Sequence, residues 1–131
     1  MATWDDVREI ALGLPQTNER PSRGHAFWRV RDKGFVWERP LGQTDLRALG
    51  GSAPDGPILG VRVENLGVKG ALISADPGVF FTIPHFDGYS AVLVRLDQIN
   101  RAELREVIVE AWLTRAPRRV AEAYAAEHGL G

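Results

Sequence analysis

The chain has no cysteine. That excludes a disulfide framework, a thiolate nucleophile and any zinc site built on sulfur. It has no long apolar run either, which excludes a helical membrane span. Its start, Met1-Ala2-Thr3-Trp4-Asp5-Asp6, lacks the basic-then-apolar layout of a secretory signal, so a cytoplasmic location is expected. An excess of one charge sign is also missing: sixteen basic residues stand against seventeen acidic ones. No bulk attraction to nucleic acid follows from that balance. Lysine is scarce, with only Lys33 and Lys69 beside fourteen arginines. Arginine suits planar contacts with carboxylates and phosphates, but the abundance of Gly and Pro favours GC-rich codon usage as the explanation. What remains is 131 residues with 44% hydrophobic content, enough for one globular domain spanning residues 1–131.

Apolar periodicity places the elements. A first helix runs from about Trp4 to Leu12, capped by Thr3 and stopped by Gly13 and Pro15. Trp4, Val7, Ala11 and Leu14 form its apolar stripe. A hairpin follows, with strands at 26–30 and 35–38 and the loop Asp32-Lys33-Gly34, Gly34 taking the left-handed position. Thr44 to Leu49 reads as a short helix or a turn. Ile58 to Val63 alternates as a third strand. Asn65 to Ala75 is assigned to a helix capped by Asn65, despite Gly67 and Gly70. Val79 to Ile83 and Tyr89 to Leu96 are the last strands, the latter apolar enough to lie centrally with both faces covered.

The helix from Arg101 to Thr114 carries the clearest pattern, with Leu104, Val107, Ile108, Ala111 and Trp112 on one face. Asn100 with Glu103 resembles a capping box, and Pro117 opens a last helix. The order α-βββ-α-ββ-α-α predicts an α+β fold: a twisted antiparallel sheet with helices packed on one side.

Catalytic chemistry finds little footing. His85 and Asp87 are two apart in Pro84-His85-Phe86-Asp87-Gly88, but two ligands from one loop do not make a metal site. The alternative is a tight turn at Asp87-Gly88 to which His85 hydrogen-bonds. No Gly-x-Ser-x-Gly elbow and no phosphate-binding loop are present. Neither a metal, nor a cofactor, nor catalytic residues are expected.

The basic residues between Arg20 and Arg39 are interleaved with Phe27, Trp28, Phe35 and Trp37. Arginines with aromatics on a sheet could contact phosphates and stack bases. The near-zero net charge and the widely spread acidic residues favour the plainer reading, in which the aromatics pack a core beneath a solvated arginine face. Arg115, Arg118 and Arg119 form a second basic cluster at the junction of the last two helices.

Taken in order, Ala11-Leu12-Gly13-Leu14-Pro15, Glu19, the Phe27–Phe35 hairpin, the run from Phe80 to Tyr89, Val92 to Leu96, Leu104-Arg105, Ala111-Trp112 and Ala116-Pro117-Arg118-Arg119 resemble the YjbR/MmcQ family. The resemblance covers nearly the whole chain. It implies a compact fold similar to the type III secretion chaperones, a DNA-binding role and no catalytic residues.

Two functions are therefore expected. The first is a small non-enzymatic protein that contacts DNA through Arg29, Arg31, Lys33, Arg115, Arg118 and Arg119. The second is a module holding a small molecule or peptide in a cleft beside the sheet, lined by Trp28, Trp37, Phe81 and His85. An enzyme ranks behind both.

Overall fold

The computed structural model describes residues 1–129. Helix α1 (Trp4–Leu12) begins where Thr3 and Asp6 cap each other's backbone, and it buries Val7, Ile10 and Ala11. The strands are β1 (Thr17–Glu19), β2 (Phe27–Val30), β3 (Lys33–Glu38), β4 (Ile58–Arg62), β5 (Phe80–Phe81) and β6 (Ala91–Arg95). They form one antiparallel sheet in the order β1-β2-β3-β4-β6-β5. Helices α2 (Gln43–Leu49), α3 (Leu66–Ala75), α4 (Arg101–Arg115) and α5 (Arg118–Glu127) complete the fold. This is the expected α+β class. Two elements enlarge the expected order: the helix α2, and the strand β1. The latter escapes sequence patterning because Thr17-Asn18-Glu19 is short and polar, and joins the sheet through its backbone pairing with β2.

Strand β6 lies between β4 and β5, and its residues Ala91, Val92, Leu93 and Val94 are all buried. The near-continuous apolar run thus does mark an interior strand covered on both faces. Alternate residues enter two different cores. Val92 and Val94 join the large core with Leu59, Val61, Val36 and the buried residues of α1 and α4. Ala91 and Leu93 join a smaller core with Ile58, Phe81, Ile83 and Phe86. Helices α1 and α4 lie on the first face, and α5 adds Tyr124, whose ring stands 5.0 Å from that of Trp112. Among the described residues, the second face is packed by the end of α2, through Leu49, by Leu41 of the preceding loop and by the 3-10 turn Pro84–Phe86. It is poor in helix, and that leaves room for a groove.

Asn100 accepts a hydrogen bond from the Glu103 backbone N–H at 2.8 Å, so α4 starts at the expected cap. Leu104, Ile108, Ala111 and Trp112 are fully buried, as the helical spacing requires. Pro117 precedes the first turn of α5 rather than opening it, one position from the expected place. Asn65 caps α3, its side chain accepting from the Val68 N–H at 2.9 Å.

The hairpin turn differs from expectation. Val30 pairs with Lys33, so the loop is the two residues Arg31-Asp32. Arg31, at φ 55°, takes the left-handed position that was assigned to Gly34. A positive φ at the first central residue is the pattern of a type II′ turn. Arg31 is held there by its N–H to the Gln16 carbonyl at 3.1 Å and its Nε to Gln16 Oε1 at 2.6 Å. Gly34 serves another purpose: a Cβ at that position would collide with the Phe27 ring.

Candidate nucleic-acid interface on the helix-poor face

The hairpin separates its aromatics by face. Trp28 pairs with Val36 toward the helices, and Phe27 pairs with Trp37 on the opposite side. A register shift at Trp28/Arg29 puts Phe35 and Val36 into the large core together. Trp28 is therefore fully buried among helices and lines no cleft, which corrects the expectation. Its indole N–H donates to Glu19 Oε1 at 2.9 Å, and its ring stacks with Trp4 at 6.4 Å. Arg8 grips the same carboxylate through Nε at 2.9 Å and Nη2 at 3.2 Å. The Arg8 hydrogen bond, opposed by burial and aided by the Trp28 N–H, holds the Glu19 carboxyl below the usual carboxylate range.

Phe27 and Trp37 lie differently. Their rings stack with an offset, centroids 5.7 Å apart and planes 15° from parallel. Each rests against a glycine of the next strand, Phe27 over Gly34 and Trp37 over Gly60, where an added Cβ would come closer than 3.0 Å to the ring. Both rings are half-buried. The Arg29 guanidinium sits 4.2 Å from the Phe27 centroid and donates to the Arg20 carbonyl at 2.9 Å. Among the described residues the Trp37 indole N–H has no hydrogen-bond partner, whereas those of Trp28 and Trp112 do.

Around these rings run two adjoining hollows. One of about 470 Å³ is lined by Ser22, Arg23, His25, Phe27, Trp37 and Glu38. The other, about 680 Å³, is lined by the segment from Arg39 to Asp45, with Arg47, Pro84 and His85. Arg39, Pro40 and His85 border both, so the two form one elongated groove. Arg39 is fixed from two sides, 3.3 Å from the Asp45 carboxylate and 5.5 Å over the Phe86 ring. Asp45 also accepts from the Gly42 N–H at 2.9 Å, which starts α2. His25 Nδ1 lies 3.6 Å from Glu38 Oε1. Arg23 and Arg47 are exposed and, among the described residues, take part in no ion pair.

His85 reaches this groove by a route the sequence did not reveal. The turn Phe86–Tyr89 closes with the Tyr89 N–H on the Phe86 carbonyl at 3.0 Å, and Gly88 supplies φ 74°. The side chain bonded to that turn is Lys69 of α3, not His85. Its ammonium donates to the Phe86 carbonyl at 2.7 Å and to the Tyr89 carbonyl at 3.0 Å. Burial lowers the Lys69 pKa, and the Asp87 carboxylate opposes that shift. A lone charge inside Leu66-Gly67-Val68-Lys69-Gly70-Ala71-Leu72 was the available signal.

The other expected site residues are dispersed. Phe81 is buried in the smaller core, with the Arg95 guanidinium 4.4 Å above its ring, so it lines neither hollow. Arg29 and Arg31 do not share a strand face, because the strand ends at Val30 and Arg31 lies in the turn. Lys33 is exposed at the start of β3. Arg115 is half-buried at the end of α4, Arg118 pairs with Glu122 at 2.8 Å, and Arg119 is exposed. Trp112 donates to the Pro15 carbonyl at 3.1 Å, and Arg31 binds the adjacent Gln16. The second basic cluster therefore lies at the hairpin-tip end of the sheet. Only Arg29 joins the aromatic floor. Among the described residues no group of three or more His, Asp or Glu converges as metal ligands. No helix among them is long and apolar enough to cross a membrane.

The same arrangement of elements recurs in known proteins. A crystal structure of a Deinococcus radiodurans protein with a DUF419 domain superposes with a TM-score of 0.68 at 21% identity, covering all of this chain and 91% of the other. It shows the fold. Uncharacterised proteins of Mycobacterium bovis and Mycobacterium tuberculosis are 52% identical over 132 residues, covering 98% of this chain and the whole of each relative. The YjbR family model matches residues 12–114, from the end of α1 through nearly all of α4. With the hairpin, the buried β6 and the long capped helix inside that span, the chain belongs to the YjbR family.

Proposed function

We propose that this chain is a non-enzymatic binding protein that holds nucleic acid against the helix-poor face of its sheet. The observation that carries this reading is the setting of Trp37: a half-buried ring resting on the sheet at Gly60, inside a groove rimmed by arginines. Among the described residues lining the two hollows, Arg23, Arg39 and Arg47 share the groove with the carboxylates of Glu38 and Asp45, and Arg29 stands beside them over Phe27, in a chain whose formal net charge is −1. Local charge, rather than net charge, is what phosphates meet. Arginine forks and aromatic faces are two contacts by which a sheet can hold nucleic acid. The cluster of Arg115, Arg118 and Arg119 lies away from this floor and adds phosphate contacts only for a long ligand.

A labelled stem–loop oligonucleotide, which offers paired and unpaired segments together, tests the reading. Binding in the range of about 10⁻⁴–10⁻⁶ M is expected, weakening with salt at a log–log slope of about −3 for four phosphate contacts. Replacing both Arg23 and Arg47 by Ala should flatten that slope by about 1.5. Absence of binding at ~100 μM protein overturns the reading, since even non-specific contacts operate there. It would then favour a small anionic molecule or acidic peptide, for which the 680 Å³ hollow is of suitable size.

A further inference from the structure

We infer that the groove takes an unpaired strand, one base lying on the Trp37 ring with flanking phosphates at Arg39 and Arg29. The inference rests on the nucleic-acid reading above and specifies its ligand.

The posture of the rings decides it. A side chain that kinks duplex DNA stands out from the surface as a wedge and enters between base pairs. Trp37 and Phe27 do the opposite. They lie down on Gly60 and Gly34, and no side chain at either glycine could permit that. A ring flush with a sheet reaches only a base whose face is already open, and a duplex hides those faces in its stack. Phe27 has the Arg29 guanidinium over it at 4.2 Å, so its outer face is occupied. Trp37 rests on the Gly60 backbone and overlaps Phe27 only with an offset, so the rest of its ring lines the hollow. Its unpartnered indole N–H adds a donor beside that face.

The cations are placed to suit a strand. Arg39 is two residues beyond Trp37 and, with its N–H bonded to the Ile58 carbonyl, continues the same edge of the strand. Its side chain is held by Asp45 and Phe86, so it is ordered before a phosphate arrives. Arg29 lies on the other side of Trp37, over the neighbouring ring. A base between them, with its backbone passing from one arginine to the other, meets the exposed part of the Trp37 ring and both cations. Stacking of this kind is tolerant of sequence, because each base has a π face.

The experiment compares a labelled oligodeoxythymidine of about a dozen nucleotides with the same strand annealed to its complement. The single strand is expected to bind at least about tenfold tighter. Trp37→Ala should weaken single-strand binding by about tenfold to a hundredfold, and the preference for strand over duplex should shrink with it. Trp37→Phe should retain most of the affinity but lose the fluorescence quenching that the strand produces in the parent protein. Gly60→Ala, which displaces the ring without removing it, should behave like Trp37→Ala; should Trp37→Ala fail to fold, the Phe and Gly60 variants carry the comparison. Equal, salt-sensitive binding of strand and duplex overturns this inference and leaves the nucleic-acid reading standing. Absence of binding to either, and to the stem–loop, overturns that reading and the inference with it.

Discussion

On the helix-covered face, Trp28 is fully buried, its indole N–H bonded to a carboxylate that Arg8 also grips. On the other face Trp37 is half-buried, lies over the Gly60 backbone, and among the described residues its N–H has no partner. The two residues sit on adjacent strands of one hairpin and differ in what covers them. Burial turns an aromatic side chain into packing and requires its polar atom to be satisfied locally. Partial exposure on a flat bed leaves both the ring face and the donor available to a ligand. A tryptophan in a sequence is therefore informative about function only once its face of the sheet is known.

If that contrast is right, the two faces respond unequally to mutation. The largest effect belongs to Trp112, fully buried against Tyr124 and bonded to Pro15. Trp112→Ala should cost about 3–5 kcal/mol, and Ile108→Ala about 2–5 kcal/mol, in urea unfolding. Trp37→Ala should cost clearly less, about 1–2 kcal/mol, because one side of the ring is already wet. A larger loss for Trp37 than for Trp112 would show that the helix-poor face is the true core.

Next comes the anchor beneath Trp28. Glu19→Ala leaves a buried indole N–H without a partner and should cost about 1–3 kcal/mol. Its pH signature sharpens the comparison. The Glu19 pKa lies below its ordinary value of 4.5, so its stabilisation is full above that value and is lost as pH falls through the depressed folded-state value. Acid titration of stability in the parent and in Glu19→Gln should therefore converge at low pH. Curves that stay parallel would show that Glu19 is not the titrating group.

Gly60→Ala on the open face should cost about 1–3 kcal/mol, as Trp37 is forced off its bed. The smallest effect is expected at Arg23 and Arg47, which are exposed at the groove rim. Their replacement by Ala should leave stability within about 0.5 kcal/mol of the parent while the salt slope of binding changes. A stability loss several times larger would mean that these arginines hold the groove together rather than serve a ligand.

The fold was legible where local and tertiary demands coincide. In α4 the spacing of Leu104, Ile108, Ala111 and Trp112 and the Asn100 cap agree on one helix and one buried face. The run in β6 announced an interior strand because both its faces are apolar. The candidate site was less legible. Alternation separates Trp28 from Phe27 but does not say which side the helices cover. The shift at Trp28/Arg29 then changes the phase, placing Phe35 and Val36 together. The turn was misread for a related reason. Gly34 looked like the left-handed residue, yet its missing side chain accommodates Phe27, while Arg31 accepts the positive φ under two bonds to Gln16. Gly60, alone inside an apolar strand, was the overlooked sign that a ring or a backbone approaches closely there.

Helix α3 has a consequence for how the chain finds one native arrangement. Its residues are apolar nearly all the way round, with Leu66 and Val68 exposed and Leu72 and Ile73 half-buried. Oil-like burial alone would accept several rotations of such a cylinder about its own axis. Lys69 does not. Turned by one residue, its ammonium would leave the Phe86 and Tyr89 carbonyls without their donor, and the loop bearing His85 would lose its mooring. The single charge acts like the notch on a key: it adds little to the grip and determines which way the helix fits.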